Sequence, residues 1–128
     1  MKKTKKQPTK TSLCRKADSL FSSYWRQKIG RCEKCGNTQT LQLCHIITRG
    51  IRKLRFDRDN TVIMCASCHR HSHNKPLEFA EFVKEIKGEE IYKYLIKTSN
   101  ILVPISRDFY IKIIADLKEK TEELEKTF

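Results

Sequence analysis

The sequence contains no hydrophobic run long enough to span a membrane. Of its 128 residues 38% are hydrophobic and 33% are charged, and no uninterrupted apolar stretch approaches the roughly 18–20 residues of a membrane helix. The N-terminus begins with lysines but continues polar, without the apolar core of a signal peptide. These absences exclude an integral membrane protein and predict a soluble, cytoplasmic protein of one domain.

Acidic residues are scarce in the first part of the chain. Residues 1–77 contain 18 Lys and Arg but only four acidic residues, a net charge of +14, whereas residues 78–128 carry −2. All six Cys and all four His also lie in residues 1–77. Because Lys and Arg displace the counterions of phosphates and attract them from a distance, this distribution predicts a polyanionic partner. A merely soluble basic domain is the alternative.

The N-terminal segment is predicted to be a basic arm followed by a helix. Residues 1–12 hold five Lys and no acid, the composition of a disordered arm that either lies along nucleic acid or only aids solubility. A single domain then spans residues 13–128. Apolar residues at three- and four-residue spacing predict its first helix over residues 16–30, ending at Gly30.

The middle of the chain, residues 31–75, loses the helical period. Short apolar runs at 41–43, 46–47 and 61–64 indicate short strands or extended pieces joined by basic loops. They are too few to make a self-sufficient sheet. Something other than apolar burial must therefore hold this segment together.

Residues 76–128 are predicted to be a helical extension. Pro76 suits the first position of a helix, and Gly88 is expected to end it. A second helix is predicted over residues 89–97. Ser106 is a suitable N-cap for a long C-terminal helix with an apolar stripe.

Two CxxC pairs, Cys32–Cys35 and Cys65–Cys68, predict a metal site. Each pair lets two thiolates from one tight turn reach an ion at about 2.3 Å, and two pairs complete a closed tetrahedral zinc site. Gly36 fits the turn that the first pair needs. A thioredoxin-like redox role would need one CxxC in a βαβ setting, which neither pair has. A structural zinc ion is thus predicted to clamp the middle segment.

Four further polar residues lie within or just after this clamped segment. His45 opens a short apolar stretch, Asn60 precedes the second CxxC pair, and His69 follows that pair directly. If the chain turns helical there, His69 and His73 share one face and can ligate an ion together, whereas His71 points elsewhere.

The order CxxC, His-Ile, Asn, CxxC-His, xxx-His resembles the HNH (His-Asn-His, ββα-metal) nuclease family with its common structural zinc. More closely, the chain resembles the phage recombination endonucleases of the NinG or Rap type, through Cys44-His45, Leu54-Arg55-Phe56, Arg58 and Asn60. The similarity runs from about Tyr24 to the C-terminal helix. It implies a small α+β fold, in which a zinc-clamped ββα-metal motif is flanked by an N-terminal helix and C-terminal helices.

The resemblance also implies a role for each residue. His45 matches the general base, a neutral imidazole that takes a proton from water, and its reference pKa of about 6.5 suits that task. Asn60 matches the residue that pins the loop beside His45. His69 matches the ligand of a catalytic Mg²⁺ or Mn²⁺ ion, with His73 as the second ligand. The implied reaction is hydrolysis of a phosphodiester in DNA, assisted by this ion.

The chain departs from the family patterns at two positions. Cys44 stands where HNH enzymes often have His or Asp and where Rap-like proteins tend to have Gly. A thiol is a soft ligand poorly suited to Mg²⁺, so Cys44 is interpreted as a bystander, the alternative being that it biases the site towards a transition metal. His69 stands where Rap-like proteins tend to have Asn, so the chain follows the wider HNH family there.

A group of basic residues surrounds these positions in the sequence and is predicted to bind DNA phosphates. Such contacts position the DNA and carry no base-edge information by themselves. A solvated basic loop is the alternative for each of them. The group consists of Arg49, Arg52, Lys53, Arg55, Arg58 and Arg70.

The predicted function is therefore a metal-dependent DNA endonuclease acting on branched recombination or repair DNA. The alternative is a non-catalytic, zinc-stabilised DNA-binding module, which would leave the histidines and Asn60 without a task. Symmetric cutting of two strands with one active site per chain would require a homodimer. The apolar stripe of the C-terminal helix is explained equally by such an interface and by packing within the monomer.

Overall fold

The computed structural model describes residues 6–127, and within them it has an α+β architecture of six α-helices and one two-stranded sheet. The predicted α+β class is thus confirmed. A 3-10 turn, Arg58–Asn60, precedes the second strand. In chain order the elements are α1 (Lys10–Ile29), β1 (Leu41–His45), α2 (Arg52–Arg55), β2 (Thr61–Cys65), α3 (Ala66–Asn74), α4 (Pro76–Lys87), α5 (Glu89–Ser99) and α6 (Arg107–Lys126).

Helix α1 begins earlier than predicted. The Thr9 side chain caps it by accepting a hydrogen bond of 3.1 Å from the Ser12 N–H, so residues 10–12 are helical and their assignment to a disordered arm is wrong. Residues 1–5 of the predicted arm lie outside the described residues. The helix ends at Gly30 as predicted, because Gly30 adopts the left-handed conformation (φ +70°) that glycine tolerates best.

The sheet is a single antiparallel pair closed by a long connection. Its register places Leu41 opposite Cys65 and His45 opposite Thr61. The predicted strand segments 41–43 and 61–64 are confirmed, whereas 46–47 is a bend after β1. Every residue of β2 is buried, and α3 follows it without a break. The chain order is therefore strand, long loop, strand, helix.

The two longest helices, α1 and α6, pack against each other and bury the apolar stripe of α6. Ser106 caps α6 by accepting from the Phe109 N–H at 3.3 Å, and α4 begins at Pro76 and ends before Gly88, all as predicted. Packing within the chain therefore explains the stripe. Among the helices of residues 6–127, none combines the length and the apolar character needed to cross a membrane.

Candidate metal centre and active site

The four cysteines of the two CxxC pairs converge on one point. Their Sγ atoms all lie within 4.8 Å of one another, and those of Cys35 and Cys65 are 3.7 Å apart. Four thiolates at about 2.3 Å from a tetrahedral ion would have sulfur–sulfur edges of about 3.8 Å. Cys32, Cys35, Cys65 and Cys68 are therefore arranged to hold a metal ion.

The pKa values of the four thiols shift in opposite directions, lowered for Cys32 and Cys65 and raised for Cys35 and Cys68. Although burial opposes it, hydrogen bonds from backbone N–H groups lower the pKa of Cys32 to about 6. The backbone N–H of Cys68 likewise lowers the pKa of Cys65. Burial, followed by the neighbouring cysteine sulfurs, raises the pKa of Cys68 instead. A bound cation is what allows four such close thiols to ionise together.

The first CxxC turn is attached to β2 by Glu33, a residue that the sequence analysis missed. The Glu33 N–H donates to the Ile63 carbonyl at 2.8 Å, and its carboxylate accepts from the Ile63 N–H at 2.7 Å. Arg58 donates to the same carboxylate at 2.6 Å. Gly36 completes the turn with φ +80° and donates to the Cys32 carbonyl. The one signal in the sequence that could have drawn attention to Glu33 is that residues 1–77 contain few acidic residues.

Cys44 lies in the core and is separate from this cluster. Its side chain is 2% exposed. Burial, and then the nearby Cys32 and Cys65 thiols, raise its pKa to about 12. Cys44 does not belong to the group of four converging cysteines, and its interpretation as a bystander stays a prediction.

A second site lies in an open cavity of about 620 Å³ between α1, β1 and α3. Three predicted site residues, His45, His69 and His73, line it together. Arg49 lines it from the loop after β1, and Asp18 lines it from α1. The cavity therefore combines imidazole groups with one cationic and one anionic side chain.

The hydrogen bond of His45 determines which ring nitrogen is protonated in the neutral form. Its Nε2 lies 2.9 Å from the Arg55 backbone carbonyl, which can only accept. Nε2 therefore carries the proton, and Nδ1 keeps a free lone pair. Burial, only partly opposed by this carbonyl, lowers the pKa of His45 below its ordinary value of 6.5. At neutral pH the ring is thus uncharged, with a proton on Nε2 and none on Nδ1.

Asn60 is completely buried under the loop beside His45. Its Oδ1 accepts from the Ile47 N–H at 2.7 Å, and its Nδ2 donates to the carbonyls of Ile47 and Leu54 at 3.1 Å each. Since Arg55 follows Leu54 directly, Asn60 fixes the backbone that supplies the carbonyl bound to His45. It is a positioning residue and does not line the cavity.

Replacement of Asn60 by alanine is expected to destabilise the protein. The variant loses three buried hydrogen bonds and leaves their backbone partners unsatisfied, at a cost of about 3 kcal/mol in the free energy of unfolding. Urea unfolding monitored by circular dichroism measures this difference. Asn74, exposed at the end of α3, is the matched control, and Asn74→Ala should change stability by less than about 0.5 kcal/mol. Equal stabilities of the two variants would refute the assigned role of Asn60.

His69 and His73 lie one turn apart on α3, with ring centroids separated by 5.0 Å. Gln42 of β1 accepts a hydrogen bond of 2.7 Å from His69 Nδ1, which leaves Nε2 of the neutral ring free to bind an ion. Burial, and then His73, lower the pKa of His69. His71 points elsewhere, as predicted, and bonds Glu78 at 2.9 Å. Gln42 was missed because only the strand register reveals its position beside α3.

Two of the predicted phosphate-binding residues pair with acidic side chains. Arg55 forms a bidentate pair with Asp18, one bond of which, from Nε, is 2.8 Å long. Arg58 donates to Glu33, and its guanidinium lies 5.1 Å from the centre of the Trp25 ring. Both groups are thus engaged within the protein, and their contact with DNA stays a prediction. They hold the loop of His45 and the first CxxC turn in place.

The other basic residues of this group are exposed. Arg49 lies at the cavity, while Lys53 and Arg70 are exposed on α2 and α3. Arg52 is also exposed, and it donates to the Tyr110 hydroxyl at 3.2 Å. These four residues also remain predicted phosphate contacts.

Comparisons of the chain with protein-family models, characterised proteins and solved structures find no match. The resemblance to HNH nucleases therefore stays a prediction. The functional interpretation therefore rests on the geometry of the cavity and of the cysteine cluster.

Proposed function

We propose that this protein is a metal-dependent DNA endonuclease of the HNH type, with its active site in the cavity between α1, β1 and α3. One observation carries the proposal. His45, whose Nδ1 lone pair is free, lines an open cavity. The histidine pair His69 and His73 and the cationic side chain of Arg49 line the same cavity.

His45 is proposed to be the general base. Its ring is neutral at pH 7, and the bond to the Arg55 carbonyl directs proton uptake to Nδ1. When Nδ1 accepts a proton from water, the imidazolium is stabilised by the same carbonyl. Asn60 keeps that carbonyl in position. His45 thus takes the proton of the attacking water at Nδ1, while Nε2 keeps its own proton and its bond to the carbonyl.

His69 and His73 are proposed to hold the catalytic divalent ion. The bond from His69 Nδ1 to Gln42 leaves Nε2 as the donor atom, and two imidazoles leave the remaining coordination positions to water and phosphate oxygens. A bound ion would act as a Lewis acid on the scissile phosphate. Because imidazole donors suit transition metals better than Mg²⁺, this pair favours Mn²⁺ over Mg²⁺.

The cysteine cluster is proposed to bind one structural zinc ion. Four thiolates leave no open coordination position for substrate, which is typical of structural sites. The ion would join the first CxxC turn to the junction of β2 and α3, and α3 carries His69. The zinc thereby supports the active site without contacting DNA.

DNA is the proposed substrate because the cavity lies in the basic part of the chain. The net charge of residues 1–77 is +14, and Arg49 provides a cation at the cavity for a phosphate. The exposed side chains of Arg52, Lys53 and Arg70 extend this charge along neighbouring elements. Branched recombination DNA is the proposed preferred form.

An oligonucleotide assay separates the enzyme from a mere DNA-binding module. Labelled four-way-junction and duplex DNA are incubated with the protein and either Mg²⁺ or Mn²⁺, while binding is followed by gel shift. The proposal predicts shorter labelled strands in addition to a shifted complex. A shifted complex with intact strands under both metals would favour the binding module instead.

The pH dependence of cleavage should reflect His45. A general base works only while neutral, and burial lowers the pKa of His45 below 6.5. We therefore expect the single-turnover rate to decrease with falling pH around a midpoint below 6.5. The measurement is a pH–rate profile at saturating protein, with circular dichroism to verify folding at each pH. A midpoint above pH 6.5, in folded protein, would contradict this assignment.

A further inference from the structure

An exposed apolar segment joins α5 to α6. Leu102 is 90% exposed, and Ile101 and Val103 are each 43% exposed. The three side chains line one groove together, so their exposed parts form a ridge of apolar surface. Contiguous exposed apolar surface of this kind is typical of interaction sites.

The ridge is held firmly at both ends. The Ile101 N–H donates to the Thr98 carbonyl at 3.1 Å, which ties the start of the segment to α5. Pro104 has a fixed φ angle, and Ile105 packs against the core between α1 and α6. Because the backbone is restrained in this way, the apolar side chains lose little conformational freedom on binding.

The neighbours of the ridge are cationic. Ile101, Leu102 and Val103 line a shallow groove of about 140 Å³ together with residues 50–53, which include the exposed Arg52 and Lys53. Within residues 6–127, no acidic side chain lines this groove. A ligand that fits must therefore offer apolar faces beside negative charge.

The groove and the active-site cavity are joined by one short loop. Thr48 and Arg49 line the cavity, and residues 50–53 line the groove. Five residue steps span at most about 18 Å, and the hydrogen bond from the Ile51 N–H to the Thr48 carbonyl shortens the path by folding the loop back. A DNA strand at the cavity is thus within a few nucleotides of the ridge.

We propose that the Ile101–Val103 ridge is a wedge that contacts unstacked bases where the strands of DNA separate, with Arg52 and Lys53 binding the flanking phosphates. This inference rests on the proposed function and specifies its substrate. Apolar side chains inserted between base steps are a known way of binding distorted DNA. At a branch point the bases are already partly unstacked, so the wedge favours branched DNA over duplex.

The test measures binding rather than cutting. The full-length protein with His45→Ala, which preserves the substrate, is titrated into a four-way junction that carries 2-aminopurine at the branch point, and into a duplex with the same label. Binding is followed by anisotropy, and unstacking by 2-aminopurine fluorescence. Leu102→Ser is compared with Leu77→Ser, a matched control because Leu77 is 83% exposed at the start of α4.

Leu102→Ser should weaken junction binding about tenfold, the size of a lost base contact, and abolish the fluorescence increase. The affinity of Leu102→Ser for the duplex should equal that of the parent protein, which carries only His45→Ala. Leu77→Ser should match the parent in both junction affinity and the fluorescence increase. Unchanged junction binding by Leu102→Ser would refute the wedge while leaving the proposed function intact. A parent protein that binds neither DNA would refute the proposed function itself. A Leu102→Ser variant that differs from the parent only in oligomeric state, by sedimentation, would overturn the wedge in favour of a contact between two copies.

Discussion

Replacing His45 by alanine is expected to lower the rate of DNA cleavage by about 10²–10⁴-fold, the usual contribution of a general base. Among the residues that the structure describes, His45 is the one cavity histidine that bonds the Arg55 carbonyl and lies outside α3. Its loss leaves the proposed metal ligands His69 and His73 in place. Single-turnover cleavage of a labelled junction measures the rate, and DNA affinity should change little.

His71→Ala is the matched control for this substitution. His71 lies on α3 between the two proposed ligands, but its ring bonds Glu78 and does not line the cavity. We expect this variant to cleave DNA within about twofold of the parent, as for a surface change. Cleavage by His45→Ala at the rate of His71→Ala would refute the assigned base.

Replacing Cys35 by serine is expected to abolish stoichiometric metal binding and to lower the free energy of unfolding by at least about 3 kcal/mol, since the binding energy of a structural zinc ion is part of the folding energy. Cys35 is exposed. Without a metal, serine at an exposed position should change stability by only about 0.5 kcal/mol. Metal analysis and urea unfolding of the purified protein measure the two effects.

Cys44→Ala provides the comparison for this second prediction. The Cys44 thiol is buried, and its pKa is raised to about 12. Its removal should cost about 1 kcal/mol of packing and leave one equivalent of zinc bound. If Cys35→Ser retained its metal, or if the parent protein carried none, the proposed structural zinc would be wrong.

Local signals in the sequence predicted much of the fold. Gly30, Pro76 and Ser106 mark helix ends, and each has the predicted position because capping depends on nearest neighbours. The CxxC spacing similarly predicted the cysteine cluster, since each pair brings two sulfurs together within one turn. The early start of α1 was missed although Thr9 is a suitable cap, because the apolar stripe of the helix was followed only from residue 16.

The features that were missed depend on contacts between residues far apart in the chain. Gln42 reaches His69 only through the register of β1 and β2, and Glu33 reaches β2 only once the CxxC turn docks there. The pairing of Arg55 with Asp18 was not predicted either, because Asp18 lies on a helix 37 residues earlier in the chain. Charge along a sequence does not reveal such pairs, because either side chain could equally face solvent.

Metal-dependent nicking of a plasmid tests whether a divalent ion at His69 and His73, as proposed, supports DNA cleavage. Supercoiled plasmid is incubated with the purified zinc-containing protein, first without added metal and then with increasing Mn²⁺ or Mg²⁺. We expect conversion to nicked circles that depends on the added ion. The double variant with His69→Ala and His73→Ala should lose this conversion. If the folded protein binds the plasmid but the plasmid stays supercoiled at every metal concentration, the proposed nuclease function is wrong.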